Sequence, residues 1–594
     1  MSGVLLRLRP IAHATPTATG LHVRGWRSSF TLEGGRGLWT IWERLAGPLA
    51  EGVPPEQLAV PGDASPAVGR ALELIIGQLH EHDLLVEVPA EWVEAERGEG
   101  ASSASAGGAD ASTGGTDASS TGTGGTGVDS AGGAGTGSAG GRRGARQGGA
   151  GQGGAGRRGA GLRGASGSRV PPADIASWLE SVAASPLESW RRLRSATAVV
   201  AGRGALAAAA HRALTAAGLD VAPVRPGAGL LLTAGPHAVA AGCAADVGFA
   251  VAPGSVGDVV ADAAAVAGRL AGAPGSPPEV LAALVGSAAA HRLVCALGGL
   301  PDPATEVVDM WSDVPPTGPP HQAVLVARVD PLHAEYHPWL SAIRPMEPNG
   351  ALLEVLGDRE LGPVPTPLPG DLPQLPVKLA ASGGAVGFGT TEHAARLDAL
   401  LRAARGLAPE GALVGADRVH ALGLALRTAV RDLPGAPVAE DEWSGDPTAR
   451  RWWKAVVLRF ALPASVEVTR LGPGVVRAVV RAGAEELSWA VEAEVADAVA
   501  FAALAAAGRA QANRAGPDVV GPVVLCGAAP FAAPDGAAAP WTNRDWNWPH
   551  GVRDGEEAFQ DDLRALAGEV EPVHLGPVLE ASGLVAFAVP GAGR

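Results

Sequence analysis

Four constellations in the chain have residue types that could do chemistry. His333 and His337 stand four apart in the run DPLHAEYHPWL (330–340), a spacing at which two imidazoles could share a metal on one turn of helix. Pro338 follows directly and disfavours helical backbone at His337. No third ligand is evident, so loop or surface histidines beside a packed Trp339 are the plainer reading. Gly202-Arg203-Gly204, with Ala207 after it, resembles the glycine turn that lets phosphates approach a helix N-terminus. The following strand ends DVAPVRPG (220–227) and lacks an acidic tip to grip a ribose, so a βαβ unit without nucleotide is expected. Arg402 and Arg405 sit three apart on a predicted helix and place guanidinium groups there. Cys243, Cys295 and Cys526 are too far apart for a CxxC zinc motif or a disulfide framework.

The elements that must position these residues follow from periodicity. VLLRLRPIAHA (4–14) and GLHVRGWRSSFTLEG (20–34) read as two strands, GLWTIWERLAG (37–47) as a helix burying Leu38, Ile41, Trp42 and Leu45, and PPEQLAV (54–60) as a short second helix. A third helix opens at Ser65 and Pro66 with Leu72, Ile75, Ile76 and Leu79 on its apolar face, and LLVEVP returns as a strand. The order β-β-α-α-α-β is that of a small winged helix-turn-helix. If His22, Arg24, Trp26, Ser28, Phe30 and Leu32 continue one alternation, they share a face; which face is core stays open, with Trp26 and Phe30 at least partly buried. Arg70, Leu74 and Gln78 form a neighbouring stripe on the third helix.

Residues 98–169 contain no aromatic residue and almost no branched aliphatic one, too little apolar area to offset chain entropy. A glycine-, serine- and alanine-rich linker is expected. Four segments result: 1–95, a linker over 96–170, an α/β segment over 171–330, and 331–594. Trp452, Trp453, Trp546 and Trp548 could be core or a docking surface.

With 46 Lys and Arg against 61 Asp and Glu, the net charge is −15. That disfavours nucleic acid, which needs clustered cations. The third helix carries Glu73, Glu81 and Asp83 against Arg70, which also argues against phosphate binding. No convincing membrane span or signal segment is read, and sparse cysteine fits a reducing cytoplasm.

The strand pair HVRG…FTLEG, the helix WTIWERLAGPLAEG and the third helix before LLVEV resemble the leader-peptide recognition domains of ribosomal peptide biosynthesis. That resemblance implies a leader added as a strand beside the sheet and packed on the third helix; the residues expected there are Arg24, Trp26, Ser28, Phe30, Leu32, Arg70, Leu74 and Gln78. Residues 190–330 resemble the ubiquitin-activating-enzyme-like domain of azole-forming cyclodehydratases, without its zinc-binding CxxC pairs. The run GFGTTEHAARLDAL (387–400) and its approach resemble the opening of YcaO-type cyclodehydratases, whose helix presents magnesium-binding glutamates where Arg402 and Arg405 stand.

The whole order resembles the ocin-ThiF-like partner proteins of thiopeptide and thiazole/oxazole pathways. It implies a multidomain α/β chain: a winged helix-turn-helix, a Rossmann-like α/β domain and a noncatalytic α+β YcaO-like region. The implied role is to hand a precursor peptide to a separate YcaO enzyme that uses ATP and Mg²⁺, with no cofactor on this chain. The rivals are an ATP-using activating enzyme and, less favoured, a winged-helix regulator.

Overall fold

The computed structural model describes residues 3–25, 28–58, 66–97, 170–305, 322–344, 352–530 and 548–590. Trp26, Ser65, Trp546 and the 98–169 run lie outside them. The chain forms two compact units, Met1–Ser181 and Val182–Arg594, and its architecture is mixed α/β with several sheets.

In the first unit, β1 (Val4–Leu8) pairs antiparallel with β5 (Leu85–Pro89). Strands β2 (His13–Pro16), β3 (Gly20–Arg24) and β4 (Ser29–Glu33) make a separate antiparallel sheet in that order. Each of the two strands read from the sequence is therefore two. Pro10 interrupts the first, since it fixes φ and has no N–H for a ladder. The second is folded back by a tight turn in which the Gly25 N–H donates to the Ser28 carbonyl at 2.8 Å.

Helix α1 (Gly37–Glu51) buries Leu38, Trp42 and Leu49, and α2 (Pro66–Glu81) buries Ile75 and Leu79. Both pack on Leu21, Val23, Phe30 and Leu32 of the sheet. Between them, Pro55–Leu58 form a 3-10 turn where a short second helix was expected over 54–60. The helix Ala173–Val182 is tied to β1 and its end: Arg7 Nη1 donates to both Glu180 carboxylate oxygens (2.9 and 3.2 Å), and Arg9 Nη1 donates to the Glu180 carbonyl (2.8 Å). Burial raises the Glu180 pKa, and Arg7 opposes it.

In the second unit, a seven-stranded sheet runs β12-β11-β10-β9-β8-β6-β7. The strands are β6 (Thr197–Ala201), β7 (Asp220–Val221), β8 (Leu230–Ala234), β9 (His237–Cys243), β10 (Val247–Ala250), β11 (Val324–Arg328) and β12 (His333–His337). The expectation of a Rossmann-like sheet is corrected in part: β6–β7 is parallel, and the other pairs are antiparallel. The short β8–β9, β9–β10 and β11–β12 connections allow only hairpins, because a parallel crossover needs a dozen or more residues.

The helix Glu279–Gly298 packs on β9 and on the helix Gly204–Ala216. Gly286 makes this possible, since a Cβ there would stand 2.4 Å from the Leu206 carbonyl oxygen. By length and composition this helix could cross a membrane; here Leu281, Val285, Leu293 and the charged Arg292 are buried.

The C-terminal part holds the sheet β16 (Ala436–Pro437), β17 (Ala464–Gly472), β18 (Val475–Ala482), β19 (Glu485–Glu492) and β20 (Val523–Val524). The alanine-rich helix Val495–Ala515 is buried along most of its length against it. Trp452 is buried in the same core, Trp453 meets Trp443 edge-on at 6.2 Å, and Trp548 meets Phe501 at 4.2 Å. Trp453 and Trp548 are partly buried against that core. Arg427, fully buried, donates to Glu492 at 2.7 Å and to Glu556 at 2.6 Å, joining the helix Arg418–Val430 to β19 and to the helix Glu556–Ala567.

Candidate functional site

Two places merit a functional reading, one in each unit. In the first unit, the turn bond from Gly25 to Ser28 and the bond from the Gly34 N–H to the Thr19 carbonyl (2.9 Å) fix the hairpin register. Antiparallel ladders alternate bonded and non-bonded pairs, so Leu21/Leu32 and Val23/Phe30 exchange bonds within the hairpin. The N–H and C=O groups of Ser29, Thr31 and Glu33 then point outward. Among the described residues, β4 has no strand on that side.

The hairpin also overturns the shared face expected for residues 22–32. Phe30 and Leu32 are buried opposite Val23 and Leu21. Arg24 is exposed, opposite Ser29, on the other face, which His22 and Thr31 share. Ser28 lies in the turn and its hydroxyl donates to the His82 carbonyl at 2.7 Å. Phe30 stacks near the His82 ring at 5.1 Å, so the C-terminal end of α2 abuts the start of β4. On α2, Arg70 is exposed and Leu74 is 47% exposed, while Gln78 donates to Glu81 at 2.5 Å. The helical stripe was legible from spacing, whereas the strand residues do not act as one face.

In the second unit, β13 (Lys378–Ser382) and β14 (Ala385–Gly389) form a hairpin that leads into the helix Glu392–Arg405. Thr391 caps the helix by accepting from the Ala394 N–H. Gly387 lets strand and helix touch: a Cβ there would lie 2.1 Å from the Ala399 nitrogen. Above this contact lies a cavity of about 70 Å³. Phe388, Leu397, Leu401, Leu424, Phe501 and Leu504 wall it, with Thr390, Asp398, Arg402, Arg405, His420 and Cys526 as its polar groups.

Arg402 Nε donates to Asp398 at 2.8 Å and its Nη2 to the Val524 carbonyl at 3.2 Å, with its guanidinium 5.3 Å above the Phe388 ring. Asp398 also accepts from the Phe388 N–H at 3.0 Å. Burial and the neighbouring Arg402 lower the Arg405 pKa, with Asp398 opposing. Burial pushes His420 down to about 4, so it is neutral near pH 7, and its Nδ1 accepts from the Ala416 N–H at 3.3 Å. Burial first, then Glu492 and Glu556 against Arg427, pushes the Cys526 thiol up to about 12. It is not a thiolate nucleophile.

Sequence reading placed Arg402 and Arg405 here and missed Thr390, Asp398 and His420. The spacing of Asp398 four residues before Arg402 was a usable signal. Nothing in the sequence brought His420 to the same place.

The other two sequence candidates separate. The Gly202 N–H is engaged by the Arg225 carbonyl at 2.8 Å, which removes one donor a phosphate would need. His333 and His337 lie at opposite ends of strand β12, about 13 Å apart along an extended backbone. That is too far to share an ion. His333 is exposed, and His337 Nδ1 is 2.9 Å from Asp358. Among the described residues no group of three His, Cys, Asp or Glu could hold a metal.

No protein-family model matches the chain, and no curated protein does. Among solved structures, it is similar to a heterocyclase in complex with substrate and cofactor. The TM-score is 0.45 at 11% identity, over 98% of this chain and 94% of that one. It is also similar to E. coli MccB with AMPCPP and selenomethionine MccA, with a TM-score of 0.28 at 9% identity, over 56% of this chain and 96% of that one. Neither likeness assigns an activity to this chain.

Proposed function

We propose that the first unit binds the leader of a ribosomally made precursor peptide and that the chain presents the precursor to a separate YcaO-type cyclodehydratase. The observation that carries the reading is the outward-facing edge of β4 beside α2, whose Arg70, Leu74 and Gln78 lie along one stripe. An added strand would take its main-chain bonds from Ser29, Thr31 and Glu33 and lay alternate side chains against α2. In this reading residues 1–95 are a winged-helix recognition domain and 331–594 a noncatalytic YcaO-like region. ATP and Mg²⁺ belong to the partner enzyme, and both proteins work in the cytoplasm. Arg402 and Arg405 support this division, because guanidinium groups repel the magnesium that carboxylates would hold.

Fluorescence polarisation of the full chain with a labelled leader, taken from a precursor encoded beside its gene, tests the proposal. Thr31→Pro removes an outward N–H and spares the main-chain bonds to β3, a position where strands tolerate proline, at the loss of the exposed Thr31 hydroxyl contact with His22 Nδ1. Leader affinity is expected to fall by about tenfold or more, equivalent to one lost main-chain hydrogen bond. Ser28→Pro is the poorer probe, since Ser28 belongs to the turn. Unchanged affinity in a folded Thr31→Pro variant would remove β4 as the binding edge.

A further inference from the structure

We propose that the cavity over the helix Glu392–Arg405 is a binding site for the carboxylate of a small apolar acid, held by Arg405 and Thr390. The site lies wholly within the second unit and is independent of leader binding.

Charge is the first argument. Arg402 and Arg405 face a single carboxylate, Asp398, and Asp398 is already engaged by Arg402 and by the Phe388 N–H. Among the described residues no carboxylate lies within ion-pair distance of Arg405. His420 is neutral near pH 7 and adds no charge of either sign. One positive charge is left over in a largely apolar pocket, where an unpaired charge is costly.

Hydrogen bonding is the second. The Arg405 Nε and the Thr390 hydroxyl are both buried without a partner, and both residues line the cavity. Thr390 is only 4% exposed. Folded proteins leave few such groups unsatisfied. A carboxylate could accept from both, with the guanidinium supplying a charge-assisted bond.

The walls decide which oxyanion. Leu397, Leu401, Leu424, Phe501 and Leu504 offer nothing to the outer oxygens of a phosphate but would cover an alkyl chain. At about 70 Å³ the cavity is smaller than one that holds benzene, so an acid of about two to four carbons fits. The nucleotide of an activating enzyme does not.

Isothermal titration and thermal shift of the full chain, at constant ionic strength, provide the test with acetate, propionate, inorganic phosphate, chloride and Mg-ATP as separate probes. Propionate should bind saturably and raise the melting temperature above the chloride control. Arg405→Gln should weaken propionate by about tenfold or more and Thr390→Val by about fivefold, the loss of a charged and a neutral hydrogen bond respectively. Leader binding should be unchanged in both variants. Absence of saturable propionate binding to the unmodified chain overturns the proposal, whatever the variants do. So does propionate affinity that survives Arg405→Gln. Saturation by phosphate alone, or by Mg-ATP alone, would replace the carboxylate with a phosphate ligand.

Discussion

His420 shows how burial turns one residue into a pH-dependent element of stability. Inside the fold its pKa is about 4, depressed chiefly by burial, with Asp417 opposing and Arg553, Arg427 and Arg405 adding to the depression. In the unfolded chain an imidazole titrates near 6.5. Between these values the unfolded state binds the extra proton, so stability falls as pH falls from about 6.5 towards 4. The loss between pH 7 and 5 should be about 2 kcal/mol. His420→Gln keeps an acceptor for the Ala416 N–H and removes the titration. Urea unfolding at the two pH values should therefore show a drop smaller by about 2 kcal/mol in the variant. Equal drops in the two proteins would mean that His420 titrates normally.

At the scale of elements, the contact between β14 and the helix Glu392–Arg405 decides where Arg402 and Arg405 point. Gly387→Ala would place a Cβ 2.1 Å from the Ala399 nitrogen and 2.3 Å from the Ala395 carbonyl oxygen. Backbone atoms cannot rotate away, so the helix must shift, at about 1–3 kcal/mol. Chemical denaturation should show that loss, and an unchanged midpoint would contradict the packing described. The helix Glu392–Arg405 was legible in the sequence as the one that carries Arg402 and Arg405, whereas the hairpin of β13 and β14 before it was not read. The α1 stripe of Leu38 and Trp42 was legible too. The break of 20–34 into a hairpin was not, because residues 25–28 carry no strong turn dipeptide and the alternation runs on through them. The antiparallel sheet of the second unit was equally hidden: buried strands such as Leu230–Ala234 are apolar whichever way their neighbours run. The meeting of Thr390, Arg405 and His420 depends on the packing of two helices, which no local pattern encodes.

For the whole molecule, the two units each have their own core, and the proposed roles fall one in each. Capture of a leader on β4 would raise the precursor's effective concentration at a partner enzyme without any reacting group on this chain. The consequence is separable function. With a YcaO enzyme, ATP and Mg²⁺, the chain should promote leader-dependent loss of water from the precursor, about 18 Da per ring. Without the enzyme it should produce none. Thr31→Pro should suppress the stimulation while leaving the enzyme's slow leader-independent reaction intact, and excess precursor should restore it, because the lost contribution is proximity. Arg402→Glu with Arg405→Glu would supply carboxylates where the YcaO resemblance implies magnesium ligands, and should still give no rings without the partner, since two ligands do not rebuild a nucleotide site. Mass spectrometry of each combination decides the matter. Rings formed by this chain as the sole protein would make it an enzyme, and stimulation that persists undiminished in a Thr31→Pro variant would locate the handover somewhere other than β4.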